Sequence, residues 1–174
     1  ELMDYAEKLD GDFAEEKALV GTLKLITKRQ VTTHNSWTHN IDDFTAGERY
    51  TNYLYMHPLD AERLGLENKQ LVDLASATGK VRLPIKLLTD LMPGTVALPH
   101  GWGHQSTHMQ VARGTKGVNV NILAADGPKN VEKVSGMVHL TGIPVEVTPA
   151  AGPLATDSWS GLPEDAIALG NFER

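Results

Sequence analysis

The chain has no cysteine. That absence removes disulfides, Cys-ligated zinc, iron–sulfur ligation and a cysteine nucleophile. It leaves the redox compartment open. No apolar run approaches the roughly 20 residues needed to span a bilayer. Positive charge is scarce: 16 Lys and Arg stand against 22 Asp and Glu, a formal net charge of −6. Wholesale nucleic-acid binding needs a basic surface and is therefore not expected. A phosphate ligand is still compatible, because a few local cations and N–H groups suffice. The first residue is Glu1 rather than Met, with no basic and apolar regions of a signal peptide after it. The expectation is a piece of a longer polypeptide, soluble, with cytoplasm and periplasm equally open. Internal repeats and heptads are missing too.

What is present suits one domain of ordinary size: 174 residues, 41% of them hydrophobic. Residues 1–17 are acidic and weakly amphipathic. Leu2, Tyr5, Ala6 and Leu9 fit helical spacing until Gly11 interrupts, which reads as a lead-in or linker. From Ala18 the pattern becomes alternation, with Leu19, Gly21, Leu23 and Leu25 on one face of a strand. A polar loop from Arg29 to about Tyr50 follows, long for a simple connection. Tyr53–Met56 is a short strand. The sequence HPLDAERLGL predicts one or two helical turns, opened by Pro58 and closed by Gly65. Leu71–Ser76 is a strand, Thr78-Gly79 a turn, and Val81, Leu83, Ile85 and Leu87 alternate as a half-buried strand. Pro84 places that strand at an edge or beside a bulge. Met92-Pro93-Gly94 turns into a strand over Thr95–Leu98, and Pro144–Thr148 is the last strand. Residues 151–174, rich in Ala, Gly, Pro and Ser, read as a tail. Short strands, few helices and polar loops indicate a mainly β protein, a small barrel with short helices in the connections. Its core domain is expected over residues 18–150.

Three loops carry the chemistry. The first, within LKLITKRQVTTHNSWTHN, holds Thr27, Lys28, Arg29, Thr32, Thr33, His34, Asn35, Ser36, Trp37 and His39. Arg can grip a pyrophosphate with two parallel hydrogen bonds, and Asn reads donors and acceptors on a heterocycle. The second, PHGWGHQSTH, holds His100, Trp102, His104 and His108. Those histidines would share a helix face and suggest a metal. Gly101 and Gly103 argue against that helix, and no carboxylate completes a site, so ligand contact or structural hydrogen bonding is the better reading. The glycines suit close approach of backbone to something bulky. The third, GTKGVNVNIL, holds Arg113, Gly114, Lys116, Gly117, Asn119 and Asn121. It lacks the Gly-Lys-Ser/Thr ending of a P-loop, and no GxGxxG opens a helix after a strand. A hydrolase trio of Ser36, His34 and Asp42 has no nucleophile elbow.

Together these segments resemble the C-terminal, molybdopterin-dinucleotide-binding domain of the dimethyl sulfoxide reductase (molybdopterin oxidoreductase) family, over roughly Leu19–Thr148. LITKRQVTTHNS resembles that domain's opening strand and cofactor loop. MHPLDAERLGLENKQLVDLASATGKVRLPIKLLTDLMPGTVALP resembles its long central block, PHGWGH its aromatic and histidine segment, and GVNVNIL its N-x-L segment. The resemblance implies a double-psi β-barrel that clasps a molybdopterin guanine dinucleotide carrying molybdenum or tungsten. It places Thr27, Lys28, Arg29, His34, Asn35 and Ser36 in the first cofactor loop. His100, Gly101 and Trp102 fall in the second, and Asn121 with nearby Asn119 in the third. Lys28 stands where the family often has Gly, although a second cation suits a pyrophosphate. Ala124 stands where Thr is frequent, and the family's late Tyr-Lys pair is not evident in MVHLTGIP.

The resemblance also implies no catalytic residue and no metal ligand in this chain. The metal's protein ligand and the substrate funnel would belong to other domains of the parent oxidoreductase. Partners would be those domains and iron–sulfur electron-transfer subunits, without nucleic acid or membrane insertion. The rival reading is a non-catalytic double-psi barrel that binds a protein or another nucleotide. Convergence of the three loops at one barrel mouth separates the two readings.

Overall fold

The computed structural model describes residues 2–104, 107–128, 130–132 and 135–151. The expected tail, beyond residue 151, lies outside them. Six strands close into a barrel: β1 (Leu23–Lys28), β2 (Leu54–Met56), β3 (Leu71–Ala75), β4 (Lys80–Leu87), β5 (Thr95–Pro99) and β6 (Thr141–Pro149). Their order round the barrel is β1-β5-β2-β4-β3-β6. Two pairs run parallel, β1 with β5 and β2 with β4. The rest are antiparallel. The mainly β barrel expected from the sequence is therefore the fold. Helices α1 (Leu2–Ala18), α2 (Asp42–Thr45), α3 (Pro58–Leu64) and α4 (Gln110–Gly114) lie in the lead-in and the connections. Among the described residues no helix is long and apolar enough to cross a membrane.

Alternation along the strands fills the interior. Leu25, Leu54, Met56, Leu71, Leu74, Leu83, Ile85 and Leu98 are fully buried. Each such side chain removed from water contributes roughly 1.5–3 kcal/mol before entropy is counted. Outward on β4, Arg82 donates from Nε and one Nη to the Asp73 carboxylate at 2.6 and 3.1 Å, and Lys80 lies 2.7 Å from it. These cations hold the Asp73 carboxyl below the usual carboxylate range, against a contribution from its burial that works the other way.

Three expectations need correction. Leu19 and Gly21 are not strand residues. Helix α1 runs unbroken through Gly11 to Ala18, then turns through bonds from Leu19 N to Glu16 O (3.1 Å) and from Thr22 N to Leu19 O (3.0 Å). A Gly costs a helix only about 1 kcal/mol relative to Ala, and the Ala, Glu, Lys and Leu around it offset that. The strand begins at Leu23, where the side chains enter the core. Pro84 does not mark an edge, because β4 is paired on both sides. It sits where one ladder hands over to the other. β3 pairs with Lys80–Pro84, whereas β2 pairs with Ile85–Leu87. At that junction the missing N–H is tolerated.

The barrel has two different ends. At the near rim β1 ends at Lys28 beside Pro99, the end of β5, and β6 begins at Thr141. The three polar loops leave or cross here. At the far rim α3 lies beside the turn that leads into β5. The His57 ring caps α3 by accepting from Leu59 N at 3.1 Å, and Gly65 ends the helix in a left-handed conformation (φ 64°). Buried Asp60 accepts from Gly94 N at 2.7 Å, clamping the helix to that turn.

Candidate functional site

The first two loops are brought together by strand pairing. Because β1 and β5 are parallel neighbours, both loops start at one place, and His100 N still donates to Lys28 O (3.1 Å) beyond the last strand pair. The first loop is not irregular throughout. It winds into single 3-10 turns at Val31–Thr33, Trp37–Asn40 and Gly47–Tyr50, with α2 between the last two. His34 and Asn35 both have positive φ, 40° and 69°. That left-handed step is uncommon outside glycine and reverses the chain over the β1 end. At Gly101 (φ 89°) the second loop passes so close that a Cβ would collide with the Asn35 carbonyl oxygen. Only glycine fits there.

The third loop is fixed on the same rim. A Cβ on Gly103 would sit 2.7 Å from the Asn119 Cβ, and one on Gly79 would sit 2.6 Å from the Ile122 carbonyl oxygen. Thr78 Oγ1 donates to that same carbonyl at 3.2 Å. Asn119 caps the 3-10 turn Val120–Leu123 by accepting from Asn121 N at 3.0 Å.

Between these loops lies a cleft of about 530 Å³ lined by Thr27, Lys28, Arg29, Asn35, His100, Gly101, Asn121 and Leu140. The first seven were candidates from the sequence, and they come from all three loops. Lys28 Nζ lies 4.2 Å from the centroid of the Tyr55 ring on β2, a cation–π contact that orients it. Among the described residues no salt bridge engages Lys28 or Arg29, so their charge is available to an anion. Two cations, a hydroxyl, two amides and an imidazole form a donor-rich set that fits a diphosphate joined to a heterocycle.

Four other candidates lie outside the lining. His34 is exposed in the left-handed turn, and Ser36 precedes the turn Trp37–Asn40 without capping it by its side chain. Asn119 serves as the cap just described. Trp102 is a packing residue. It is 4% exposed, its Nε1 donates to Gln30 Oε1 at 3.2 Å, and a Cβ on Gly117 would strike its ring. Its indole also meets the His39 ring, with ring centroids 4.2 Å apart.

Beneath Gly101 sits a histidine pair that spacing alone did not reveal. His39 Nδ1 and His104 Nε2 are 2.8 Å apart, and His104 Nε2 is also 2.8 Å from the Gly101 carbonyl. His39 is fully buried, and among the described residues its Nε2 has no hydrogen-bond partner. Burial lowers the His39 pKa to about 4. The charge of His104 adds to the lowering, and a bond to the Gly101 backbone works against it. Neutral His39, bonded to His104, therefore braces the first two loops. The three histidines His100, His104 and His108 do not form a metal set, and among the described residues no three His, Asp or Glu side chains do. Asn52 was also missed. Its buried side chain ties the end of β5 to the third loop. A lone Asn ahead of a strand carries no motif that would single it out.

Comparison with known proteins agrees with this geometry. Residues 23–141 match the family described as "Molydopterin dinucleotide binding domain". The chain is 39% identical over 54 residues to a tetrathionate reductase subunit of Salmonella typhimurium, a match covering 31% of the chain and 5% of that protein. It is 34% identical over 98 residues to the molybdopterin-binding-like subunit of menaquinone reductase from Nitratidesulfovibrio vulgaris, covering 56% of the chain and 14% of that protein. Among solved structures, acetylene hydratase from Pelobacter acetylenicus superposes with a TM-score of 0.59 at 22% identity, over 81% of this chain and 19% of that one. That likeness supports the fold. The chain thus spans a small part of the length of each of these proteins.

Proposed function

The chain belongs to the molydopterin dinucleotide binding domain family, and from that premise we propose that the near-rim cleft holds the dinucleotide of a molybdopterin cofactor. The cofactor is molybdopterin guanine dinucleotide, as in the molybdenum or tungsten oxidoreductases of the dimethyl sulfoxide reductase family. One observation carries the assignment of the site: Thr27, Lys28, Arg29, Asn35, His100, Gly101 and Asn121, from three distant segments, line one cleft. Arg29 and Lys28 would meet the diphosphate, Asn35 and Asn121 the heterocycle and ribose, and the backbone at Gly101 would approach closely because no side chain intervenes. When bound, the cofactor supplies the redox chemistry at its metal. This chain's residues bind and orient it.

Residues 18–150 are the binding domain in this reading, with 1–17 as lead-in and 151–174 as tail. The chain acts as part of a larger oxidoreductase whose other domains supply the metal ligand and substrate funnel, with iron–sulfur subunits as electron partners. Convergence of the three loops favours this reading over a barrel that binds protein.

Titration with guanosine diphosphate, followed through backbone amide shifts, tests the reading. Weak binding with shifts at residues 27–36, 100–102 and 119–121 is the expected result. Shifts confined to other parts of the barrel, or none, would overturn it. In the parent enzyme Arg29→Ala should lower cofactor retention about ten-fold or more, the loss of a charge-assisted contact. Wild-type molybdenum content in that variant would remove Arg29 from the site.

A further inference from the structure

The parallel β1–β5 pair accounts for the meeting of the first two loops, but among the described residues no strand pairing brings the third loop to the cleft. We infer that Asn52 is a positioning residue that, through hydrogen bonds, ties the third loop to the end of β5 and so helps to set the shape of the dinucleotide cleft. The inference rests on the cofactor reading only for the identity of the ligand.

Asn52 is fully buried just ahead of β2. Its Nδ2 donates to Pro99 O and to Val118 O, each at 3.0 Å, and its Oδ1 accepts from Val118 N at 2.9 Å. Pro99 directly precedes His100 and Gly101 in the cleft wall. Val118 leads through the Asn119 cap to Asn121, which lines the same cleft. The neighbouring bonds run along the same strip. Lys116 N donates to Tyr50 O at 2.9 Å, and Thr51 Oγ1 donates to Lys116 O at 3.3 Å. These hold only the start of the third loop to the end of the first. Asn52 alone among them reaches β5.

Side-chain chemistry restricts the position. The two donors and one acceptor of a primary amide match two carbonyls and one N–H. A carboxylate of the same shape would set negative charge against two carbonyl oxygens. An alanine would leave Pro99 O and the Val118 groups unpaired in a buried place, at roughly 1–3 kcal/mol per orphaned group.

The experiment compares Asn52→Asp and Asn52→Ala with Asp60→Ala, all in the full chain. Asp60 clamps the far rim through Gly94, and among the described residues its polar partners, Gly94 and Arg63, lie outside the cleft lining. Asp60→Ala therefore controls for general loss of stability. Both Asn52 variants should weaken guanosine diphosphate binding five-fold or more, while Asp60→Ala lowers the unfolding midpoint with affinity unchanged. If Asn52→Asp does not fold, Asn52→Ala, which introduces no charge, carries the comparison. In the ligand-free protein the Val118 amide should lose protection from hydrogen exchange in Asn52→Ala, and the amides of Gly101 and Asn121 should shift together, while α3 stays as it was. Wild-type affinity in a folded Asn52 variant overturns the inference, as does an equal loss in Asp60→Ala. If the wild-type chain fails to bind guanosine diphosphate, the cofactor reading fails. Unchanged Val118 protection in Asn52→Ala would then overturn this inference independently.

Discussion

The far rim of the barrel is closed by local signals, whereas the near rim is closed by contacts between segments far apart in the chain. At the far rim a proline opens α3, a histidine caps it, a glycine ends it, and Asp60 clamps it to the turn at Gly94. Nearly all of these features lie within one short stretch of sequence. At the near rim the loops are held by Gly101 against Asn35, by Trp102 against His39 and Gly117, and by Asn52 between Pro99 and Val118. The lesson is a division of labour. One end is a rigid cap on the core, and the other is a polar mouth whose shape depends on a few long-range contacts.

The contrast should break most sharply at Gly101. Its φ of 89° and the Asn35 carbonyl beside it leave no room for a side chain. Gly101→Val should destabilise the protein by roughly 3 kcal/mol or more, since a strained φ alone costs about 1–3 kcal/mol. Its binding of guanosine diphosphate should be abolished. The far-rim Gly65 also has positive φ, but open space surrounds it. Gly65→Ala should cost only about 1 kcal/mol, with binding intact. Denaturant melts of the two variants, paired with titrations, decide the matter; equal losses of affinity would erase the distinction between the rims.

Acid should separate the rims next. The unfolded chain takes up a proton at His39 near pH 6.5, whereas the folded chain does so only near 4. Between those values the unfolded state binds more protons, so stability falls as pH drops through that window. A shift of this size corresponds to a loss on the order of 3 kcal/mol at its low end. The depressed Asp73 carboxyl acts in a separate window, contributing stability that is lost only below its ordinary value of 3.8. His39→Gln should flatten the melting profile between pH 6.5 and 4. A slope that survives the substitution would assign the effect to another group.

A smaller loss belongs to the far rim. Asp60→Asn keeps an acceptor for Gly94 N but removes the charge from the contact with Arg63, which is 3.3 Å away. The expected cost is about 1 kcal/mol, the upper end for an ion pair whose cation is half exposed. Thermal melting measures it, and a drop in ligand affinity would contradict the picture. The smallest effect should come from Glu16→Gln, which breaks an exposed pair with Lys24 at 3.0 Å. Such pairs contribute about 0–1 kcal/mol, so the midpoint should barely move.

Strand existence and the far rim were legible because their causes are periodic or local. Alternation at Val81, Leu83 and Ile85 and the Pro58 to Gly65 frame of α3 are each visible within one window of sequence. Pro84 misled because edge status depends on which strands lie alongside, and the ladder handover exists only in the closed barrel. Leu19 misled because alternation over four positions cannot by itself outweigh continuation of a helix. In the candidate site, polar residue types in the loops and the family resemblance pointed to Lys28, Arg29, Asn35, His100 and Asn121, all of which line the cleft. Trp102 was expected to face a ligand, yet residue type cannot tell an aromatic that lines a wall from one that supports it. His39 with His104, and Asn52 with Val118, were invisible because each bond spans more than 60 residues.

The barrel's closure also has a history in time. The opening strand β1 completes its pairing only with β5 and β6, about 70 and 120 residues later in the chain. A ribosome adding roughly 5–20 residues per second must therefore leave Leu23 and Leu25 without their final neighbours for several seconds. Such non-local pairing slows folding and lengthens the exposure of sticky surface. During that interval the nascent polypeptide depends on whatever shields it, so its yield in a cell should respond to chaperone supply more than its equilibrium stability would suggest.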